Sequence, residues 1–318
     1  MNPPAVTVVM PVRNGRVYIH EAVASVLTQD FHDLELIVVD DGSTDWDYFQ
    51  LMELDPRLKV IRLIGVGVSA ARNAGMAISR GDYIAFLDAD DVWYPGKLSA
   101  QIRYFETHVD AGVVFGQFVK WHPDATKVFA PAASLWTDCA ALTETEQARS
   151  GWLYTRLLMG LLVGMNTAII RRSVYDQIGG FDTTMRIGED YDFWLRASRV
   201  APMHSLNGPV ALYRIHPASA MHRVDKANHM ARLLHCGFVR WGLENPDGSK
   251  LEPKQFARRL AMTHFDHGYL HYWRGDLTIA RQSFALAFLS GGRRLRSAIY
   301  WVLAVGAKFF SSRSSTLP

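Results

Sequence analysis

Four short runs of β-branched and other apolar residues alternate with helix-like segments over the first hundred residues, and this alternation constrains the fold most. The spacing predicts helices over 18–28, 46–54 and 68–78. Continuous apolar runs of this length are typical of strands that are buried on both faces. Their alternation with helices is typical of a parallel, doubly wound α/β sheet. The predicted strands are Val6–Val12, Leu34–Val39, Leu58–Leu63 and Tyr83–Leu87.

Beyond residue 110 the pattern is less regular. From residue 226 onward it is nearly all helical, broken by a turn-rich linker over 244–252. We therefore predict a catalytic domain over 1–222 and a helical extension over 223–318 that ends in a basic amphipathic helix. The predicted elements between 110 and 222 are strands over 113–121, 166–171 and 210–215, helices over 153–163 and 192–200, and a polar loop over 129–150.

Composition excludes several classes of protein. Hydrophobic residues make up 49% of the chain and charged residues 20%, which favours a folded globular protein over a disordered one. Two cysteines, Cys139 and Cys236, exclude a disulfide framework and a cysteine-based zinc site. The first residues show no basic and apolar segments of a signal peptide, and no apolar run reaches the roughly 18 residues that span a bilayer. We expect a cytoplasmic protein.

The formal net charge of +3 hides an asymmetry along the chain. From Arg281 to the end there are six Lys and Arg and no Asp or Glu, so the remainder has 34 − 6 = 28 positive and 31 negative charges, a net of −3. Arginines 293, 294 and 296 precede an apolar, aromatic-rich segment over 299–310, and Lys308 and Arg313 lie near its end. This pattern indicates an anionic membrane surface as partner, on the inner face of the cell membrane, rather than nucleic acid. The alternative is that this helix packs on the catalytic domain.

Two acidic clusters follow predicted strands, where ligands bind in such sheets. Asp40-Asp41 precedes Gly42-Ser43 and can bind a base or a ribose, or can cap the next helix. Asp88-Ala89-Asp90-Asp91 follows the fourth strand, and an extended D-x-D places two carboxylates on one side. Such oxygens suit Mg²⁺ or Mn²⁺ with open positions for phosphate. The alternative is a solvated acidic loop.

Three further segments have chemistry that spacing alone leaves open. Glu189-Asp190 lies in a Gly-flanked turn before a helix, where a carboxylate serves as a general base or stabilises the helix N-terminus. Arg72 lies on the helix after the third strand and contacts either a phosphate or an acidic partner. His264, His267 and His271 lie close on one helix, as zinc ligands or as part of a helical hairpin, and we favour the hairpin.

Taken together and in order, five segments resemble the signature series of family 2 glycosyltransferases. The resemblance covers residues 5 to about 220. It implies a GT-A fold with a nucleotide-binding half over about 1–110 and an acceptor half over about 111–222, and a metal-dependent, inverting reaction. The five segments are Pro11-Val12-Arg13-Asn14, Val38-Val39-Asp40-Asp41-Gly42-Ser43, Ala71-Arg72-Asn73-Ala74-Gly75, Phe86-Leu87-Asp88-Ala89-Asp90-Asp91 and Gly188-Glu189-Asp190.

The resemblance also implies a role for each matching residue. Asp190 would be the catalytic base, with Glu189 beside it in the acceptor site. Asp90 would bind Mg²⁺ or Mn²⁺, and His216 stands where related enzymes often place a residue that contacts metal or diphosphate. The residues implied to bind the nucleotide-sugar are Pro11, Arg13, Asn14, Asp40, Asp41, Arg72, Asp88 and Ala89.

The implied function is transfer of a sugar from a nucleotide-sugar, most often a UDP-sugar, to a hydroxyl of a glycan or polyprenyl-linked acceptor. The Q-x-x-R-W element of processive synthases is missing, since 193–196 reads F-W-L-R. A nucleotidyltransferase and an inactive nucleotide-sugar-binding protein of the same fold are the alternatives. The first would need a glycine-rich phosphate loop with a following basic residue, which we do not find near the N-terminus. An NAD-dependent oxidoreductase is excluded because no G-x-G-x-x-G follows the first strand.

Overall fold

The protein is described here by a computed structural model that covers residues 3–216, 225–274, 276–291 and 293–314, with side chains described as far as residue 306. The chain divides into two compact units. The first consists of Met1–Tyr154 and Leu161–Ser219, and the second of Thr155–Gly160 and Ala220–Pro318.

The first unit is built on a mixed sheet. Nine strands of the described residues form it, in the order β3-β2-β1-β4-β8-β6-β9-β5, with β7 paired to β9. The strands are β1 (Val6–Val12), β2 (Leu34–Asp40), β3 (Leu58–Arg62), β4 (Tyr83–Phe86), β5 (Val92–Trp93), β6 (Val113–Trp121), β7 (Thr145–Gly151), β8 (Ile169–Arg171) and β9 (Met203–Arg214). The helices of this unit are α1 (Ile19–Leu27), α2 (Val68–Ala77), α3 (Lys97–Thr107), α5 (Arg172–Ile178) and α6 (Glu189–Ala197), and α4 (Tyr154–Met159) runs into the second unit.

The N-terminal strands form a parallel block, as their continuous apolar runs predict. β1 pairs in parallel with β2 and β4, and β2 with β3. All residues of β1 and β2 are buried because helices cover both faces. Val8 and Val38 share a core with α1, whereas Val9 and Val39 face Gly75 of α2. A Cβ on Gly75 would lie 2.5 Å from a Val9 methyl, so this glycine permits the close packing. The α/β fold is confirmed.

The parallel block places the chemistry at one edge of the sheet. The carboxyl ends of neighbouring parallel strands lie at the same edge, where ligands bind in such folds. The residues that follow β1, β2 and β4 therefore meet there: Asn14, Asp41 and Asp88. The later strands join in mixed orientation: β8 lies antiparallel to β4 and β6, and β9 lies parallel to β6.

Several predicted elements differ in the structure. The segment over 129–150, predicted to be a polar loop, contains most of strand β7. This strand is only partly buried, and its sequence T-E-Q-A-R-S-G shows no alternation of apolar and polar residues. The apolar helix predicted over 153–163 ends at Met159, before Gly160 and an irregular segment. The helix predicted over 46–54 is a 3₁₀ helix over Tyr48–Glu53, and α5 is an element that the periodicity did not show.

Three more elements have bounds other than those predicted. The strand predicted over 166–171 is a 3₁₀ turn over Met165–Thr167 followed by β8, and the final strand begins at Met203 rather than Val210. The predicted helix over 192–200 is α6, which begins three residues earlier, at Glu189. The acidic pair therefore belongs to the first helical turn.

The described part of the second unit is helical. Its helices are α7 (His229–Trp241), α8 (Pro253–Arg274), α9 (Leu277–Leu289) and α10 (Arg294–Ser314). Phe265 of α8 packs with Phe284 of α9 and Ala304 of α10 in a small core. His267 and His271 each donate a hydrogen bond to the Asp225 carbonyl, at 3.3 and 2.9 Å. His267 Nδ1 also lies 2.9 Å from Ser283 Oγ of α9, so His267 takes part in helix packing. Within the described residues no group of three metal-ligating side chains is found.

A buried lysine in the first unit has its charged form desolvated. Lys97 at the start of α3 is fully buried, and its Nζ lies 3.9 Å from the centroid of the Trp93 ring. Among the described residues, Nζ has no hydrogen-bond partner. Burial lowers the pKa of Lys97 to about 7, because the charged form is desolvated.

We predict that the free energy of unfolding rises between pH 7 and 9 on account of Lys97. In this window the folded lysine releases its proton while the unfolded one keeps it, so stability rises by about 1.4 kcal/mol per pH unit. Urea denaturation at pH 7, 8 and 9 measures this slope. Lys97→Met should remove it, and the exposed Lys120→Met should keep it. Equal slopes in the two variants would contradict the assignment.

Candidate functional site

The end of β2 is held by two carboxylates that both bind main chain. Asp40 accepts a hydrogen bond from the Ser43 amide at 2.8 Å, so its carboxylate caps the turn that follows β2. Asp41 accepts from the amides of Val66 and Gly67, at 2.7 and 2.8 Å, and so fixes the loop that leads into α2. Both carboxylates are buried, so this edge of the site is rigid.

The loop after β1 lies against the same turn. Asn14 has a positive φ of 53°, donates its amide to Ser43 Oγ at 2.9 Å and accepts from the Thr44 amide at 2.8 Å. The exposed Arg13 guanidinium lies beside Gly65, and Pro11 is buried in β1. The structure thus brings together the residues predicted to surround a nucleotide base.

Arg72 connects two acidic segments that are far apart in sequence. Its Nη2 lies 2.7 Å from Asp88 Oδ1, and its Nη1 lies 3.1 Å from Glu189 Oε1. Its side chain is only 4% exposed, and its guanidinium lies 5.4 Å from the centre of the Phe181 ring. Since a phosphate would compete with these carboxylates, the geometry makes Arg72 a positioning residue for the acidic groups.

Asn73, the next residue, holds the loop that precedes α6. Its side chain donates to the Phe181 carbonyl at 2.8 Å and accepts from the Phe181 amide at 2.7 Å. Sequence reasoning gave Asn73 no role, although it lies in one of the five quoted segments. Together Arg72 and Asn73 fix the entry to α6 from α2.

Glu189 and Asp190 begin α6 after Gly188, whose φ is +83°. Burial raises the pKa of Asp190, and the charge of Arg72 opposes that rise. Burial likewise raises the pKa of Glu189. A carboxylate with a raised pKa is a better proton acceptor, so both groups suit general-base chemistry.

The loop after β4 aims its carboxylates at different partners. Asp90 lies 2.9 Å from His216 Nε2. Asp91 is buried and accepts from the Arg214 amide at 2.9 Å and from the Asn166 side chain at 2.7 Å. Burial, followed by the charge of Asp88, raises the pKa of Asp90. A cation would relieve this repulsion, whereas a fully solvated loop would show no such burial.

Asn166 and Arg214 support the site and were not predicted. Arg214 also donates from Nε to the Asp90 carbonyl at 2.7 Å, and it lies 3.9 Å from the centre of the Trp121 ring. Both residues are separated from Asp91 by 75 or more positions, so no local pattern identifies them. The only hint in the sequence was that Arg214 lies two residues before His216, a predicted site residue.

The donor set at Asp90 fits a divalent cation whose remaining ligands come from substrate and water. Mg²⁺ and Mn²⁺ accept carboxylate oxygen, Mn²⁺ also accepts imidazole nitrogen, and Mg²⁺ is commonly held by one or two carboxylates plus phosphate oxygens. Asp90 and His216 supply one donor of each kind in contact. Over the residues that the structure describes, no group of three His, Cys, Asp or Glu side chains that could hold a metal ion is found.

Known proteins resemble the chain in sequence. A family model described as glycosyl transferase family 2 matches residues 7–146. An uncharacterized glycosyltransferase of Rickettsia felis is 24% identical over 241 residues, which make up 74% of this chain and 38% of that protein. One from Nostoc is 41% identical over 113 residues, 34% of this chain and 35% of that one. The matches thus span little more than a third of these two relatives.

Solved structures share the fold. Staphylococcus aureus TarS, determined as residues 1-349 with UDP-GlcNAc, superposes with a TM-score of 0.66 at 19% identity, over 99% of this chain and 92% of that one. The mannosyltransferase PcManGT of Pyrobaculum calidifontis, determined with GDP-Man and Mn²⁺, gives 0.57 at 20% identity, over 97% and 81%. The fold is of the GT-A type, and the sequence of residues 7–146 is similar to glycosyltransferase family 2.

Proposed function

We propose that the protein transfers a sugar from a nucleotide-sugar, with a UDP-sugar as the first choice, to a hydroxyl of a glycan or polyprenyl-linked acceptor, with inversion at the anomeric carbon. The observation that carries this proposal is the Arg72 bridge, which brings the acidic loop after β4 beside the acidic pair of α6. A carboxylate on the proposed donor side, Asp88, and one on the proposed acceptor side, Glu189, thus share the guanidinium of Arg72. The donor half would be about 1–110 and the acceptor half about 111–222.

On the donor side, we assign the base to the loops after β1 and β2. Asp41 and the backbone at Pro11 and Arg13 would contact it, with Asn14 and Asp40 holding the turn. Asp88 and the adjacent Ala89 would contact the ribose or the sugar. Support comes from the rigidity of this edge, where Asp41 already binds two amides. Asp90 and His216 would hold Mg²⁺ or Mn²⁺, which when bound stabilises the negative charge that develops on the diphosphate.

On the acceptor side, we assign the base to Asp190. An acceptor hydroxyl is a poor nucleophile until a carboxylate takes its proton. Asp190 would take it on the sugar face opposite the diphosphate, so that one displacement inverts the anomeric centre without a covalent intermediate. Glu189 would stay bound to Arg72 and orient the turn. The raised pKa of Asp190, caused by burial, supports this assignment.

We expect UDP with Mn²⁺ to raise the melting temperature. A ligand at 100 times its Kd stabilises the folded state by about 2.7 kcal/mol. Asp90→Ala should abolish the metal-dependent part of the shift, and Asp124→Ala, in an exposed loop, should keep it. The measurement is thermal unfolding with each nucleoside diphosphate, with and without metal. No shift with any of them would refute nucleotide-sugar binding.

Asp190→Asn should reduce transfer by ~10²–10⁴-fold while UDP binding persists, because a general base acts on the acceptor. The rate of wild-type protein should fall as pH drops through the Asp190 pKa, which lies above the usual aspartate value. Product analysis with UDP-sugars and glycan acceptors measures the transfer. Full activity in Asp190→Asn would move the base elsewhere, with Glu189→Gln as the next variant. Release of pyrophosphate instead of UDP would indicate a nucleotidyltransferase, and binding without turnover an inactive binding protein.

Arg72→Met should cost about 3–5 kcal/mol of stability, the range for a buried ion pair that loses one partner. Adding Glu189→Gln should recover part of this loss, because it removes one of the uncompensated charges. Arg80→Met, which removes a half-exposed partner of Glu35, is the control and should cost about 1 kcal/mol or less. Urea denaturation of the wild type and of the three variants gives the four free energies of unfolding. A cost for Arg72→Met no larger than that of the control would contradict the bridging role.

A further inference from the structure

Helix α10 has apolar side chains on two opposite faces. On the inner face, Tyr300 and Ala304 pack against Phe265 and Phe284 of the helical core. Ser297, one turn before Tyr300, is also fully buried. This face is accounted for by packing within the second unit.

The outer face of α10 has no such cover in the described residues. Its side chains recur at four- and three-residue spacing, which places them on one stripe of the helix. A soluble surface helix normally presents polar residues there. The exposed side chains are Leu295 (76%), Ile299 (48%), Val302 (61%) and Leu303 (47%).

A groove of about 330 Å³ lies between α9 and α10, next to this stripe. Its lining is apolar apart from Ser297. Leu289 of α9 and Val302 of α10, both exposed, contribute to the groove and continue its surface outward. The stripe and the groove together form one apolar surface, which we call the α9–α10 face.

The charged residues within α9 and α10 have one sign. Arg281 lies on α9, and Arg293, Arg294 and Arg296 lie at the start of α10. From Leu277 to Pro318 the sequence contains no Asp or Glu. Two copies of this face brought together by a two-fold axis would oppose their arginine clusters, which disfavours self-association.

We propose that the α9–α10 face binds the surface of an anionic lipid bilayer. The apolar stripe and groove would enter the boundary between headgroups and acyl chains, and the arginines would bind lipid phosphates. Within the described residues, no helix combines the length and apolarity of a bilayer-spanning segment. The inference goes beyond the proposed transfer reaction and does not depend on it.

Sedimentation of the full-length protein with vesicles tests the proposal. We expect binding to vesicles of phosphatidylglycerol mixed with phosphatidylcholine at low salt, weaker binding at high salt, and little binding to phosphatidylcholine alone. Arg294→Gln with Arg296→Gln should reduce the partition about 30-fold, since each arginine near an anionic leaflet contributes about 1 kcal/mol. Val302→Glu should reduce it through the apolar stripe, and both substitutions are on exposed positions that leave the core intact.

Val239→Glu is the matched control, because Val239 is 70% exposed on α7, away from this face in sequence. It should sediment as the wild type does. Equal binding by all variants, equal binding to both kinds of vesicle, or no binding would overturn the proposal. So would a dimer, seen by light scattering, that Val302→Glu dissociates while vesicles fail to bind. The assay needs no nucleotide, so its failure is distinct from a failure of UDP binding measured without vesicles.

Discussion

The ion pairs of Arg72 are the interaction on which the rest of the site depends. Three acidic side chains, Asp88, Glu189 and Asp190, influence one buried guanidinium, and without it they would repel each other in a region of low dielectric constant. The bridge spans 117 residues of sequence, from Arg72 to Glu189. Because α2 itself packs tightly on β1 and β2 through Gly75, the position of the acidic groups follows from the position of the sheet.

Much of the fold was predictable because β1 and β2, in the parallel block, are continuous apolar runs, which indicate strands buried on both faces. Val6–Val12 has the predicted bounds, since β-branched residues in an unbroken run leave little ambiguity. Val113–Trp121, outside that block, also has the predicted bounds, although Gly116, Gln117 and Lys120 interrupt its apolar run. β7 was missed because it is a partly exposed polar strand without a hydrophobic pattern, and it is defined by its pairing with β9. The two faces of α10 also escape sequence reasoning, since apolar residues all around a helix do not say which of them find a partner.

The candidate site was predictable where its residues follow strands of the parallel block. Asp40, Asp41 and Asp88 to Asp91 fall at one edge because parallel topology places them there. Asn166 and Arg214 could not be found in this way, because their contacts to Asp91 arise only when β9 and the turn before β8 close on the acidic loop. The ion pairs of Arg72 with Asp88 and Glu189 likewise depend on distances between segments.

Asp91 has a consequence for its neighbours. Its buried carboxylate joins the acidic loop to the backbone of Arg214, two residues before His216. This hydrogen bond helps to hold the Asp90 loop and the segment that carries His216 together. A ligand that binds both Asp90 and His216 would find their side chains already ordered, so little side-chain conformational entropy would be lost on binding. The arrangement of these two side chains is in this sense a property of the core and not of the surface.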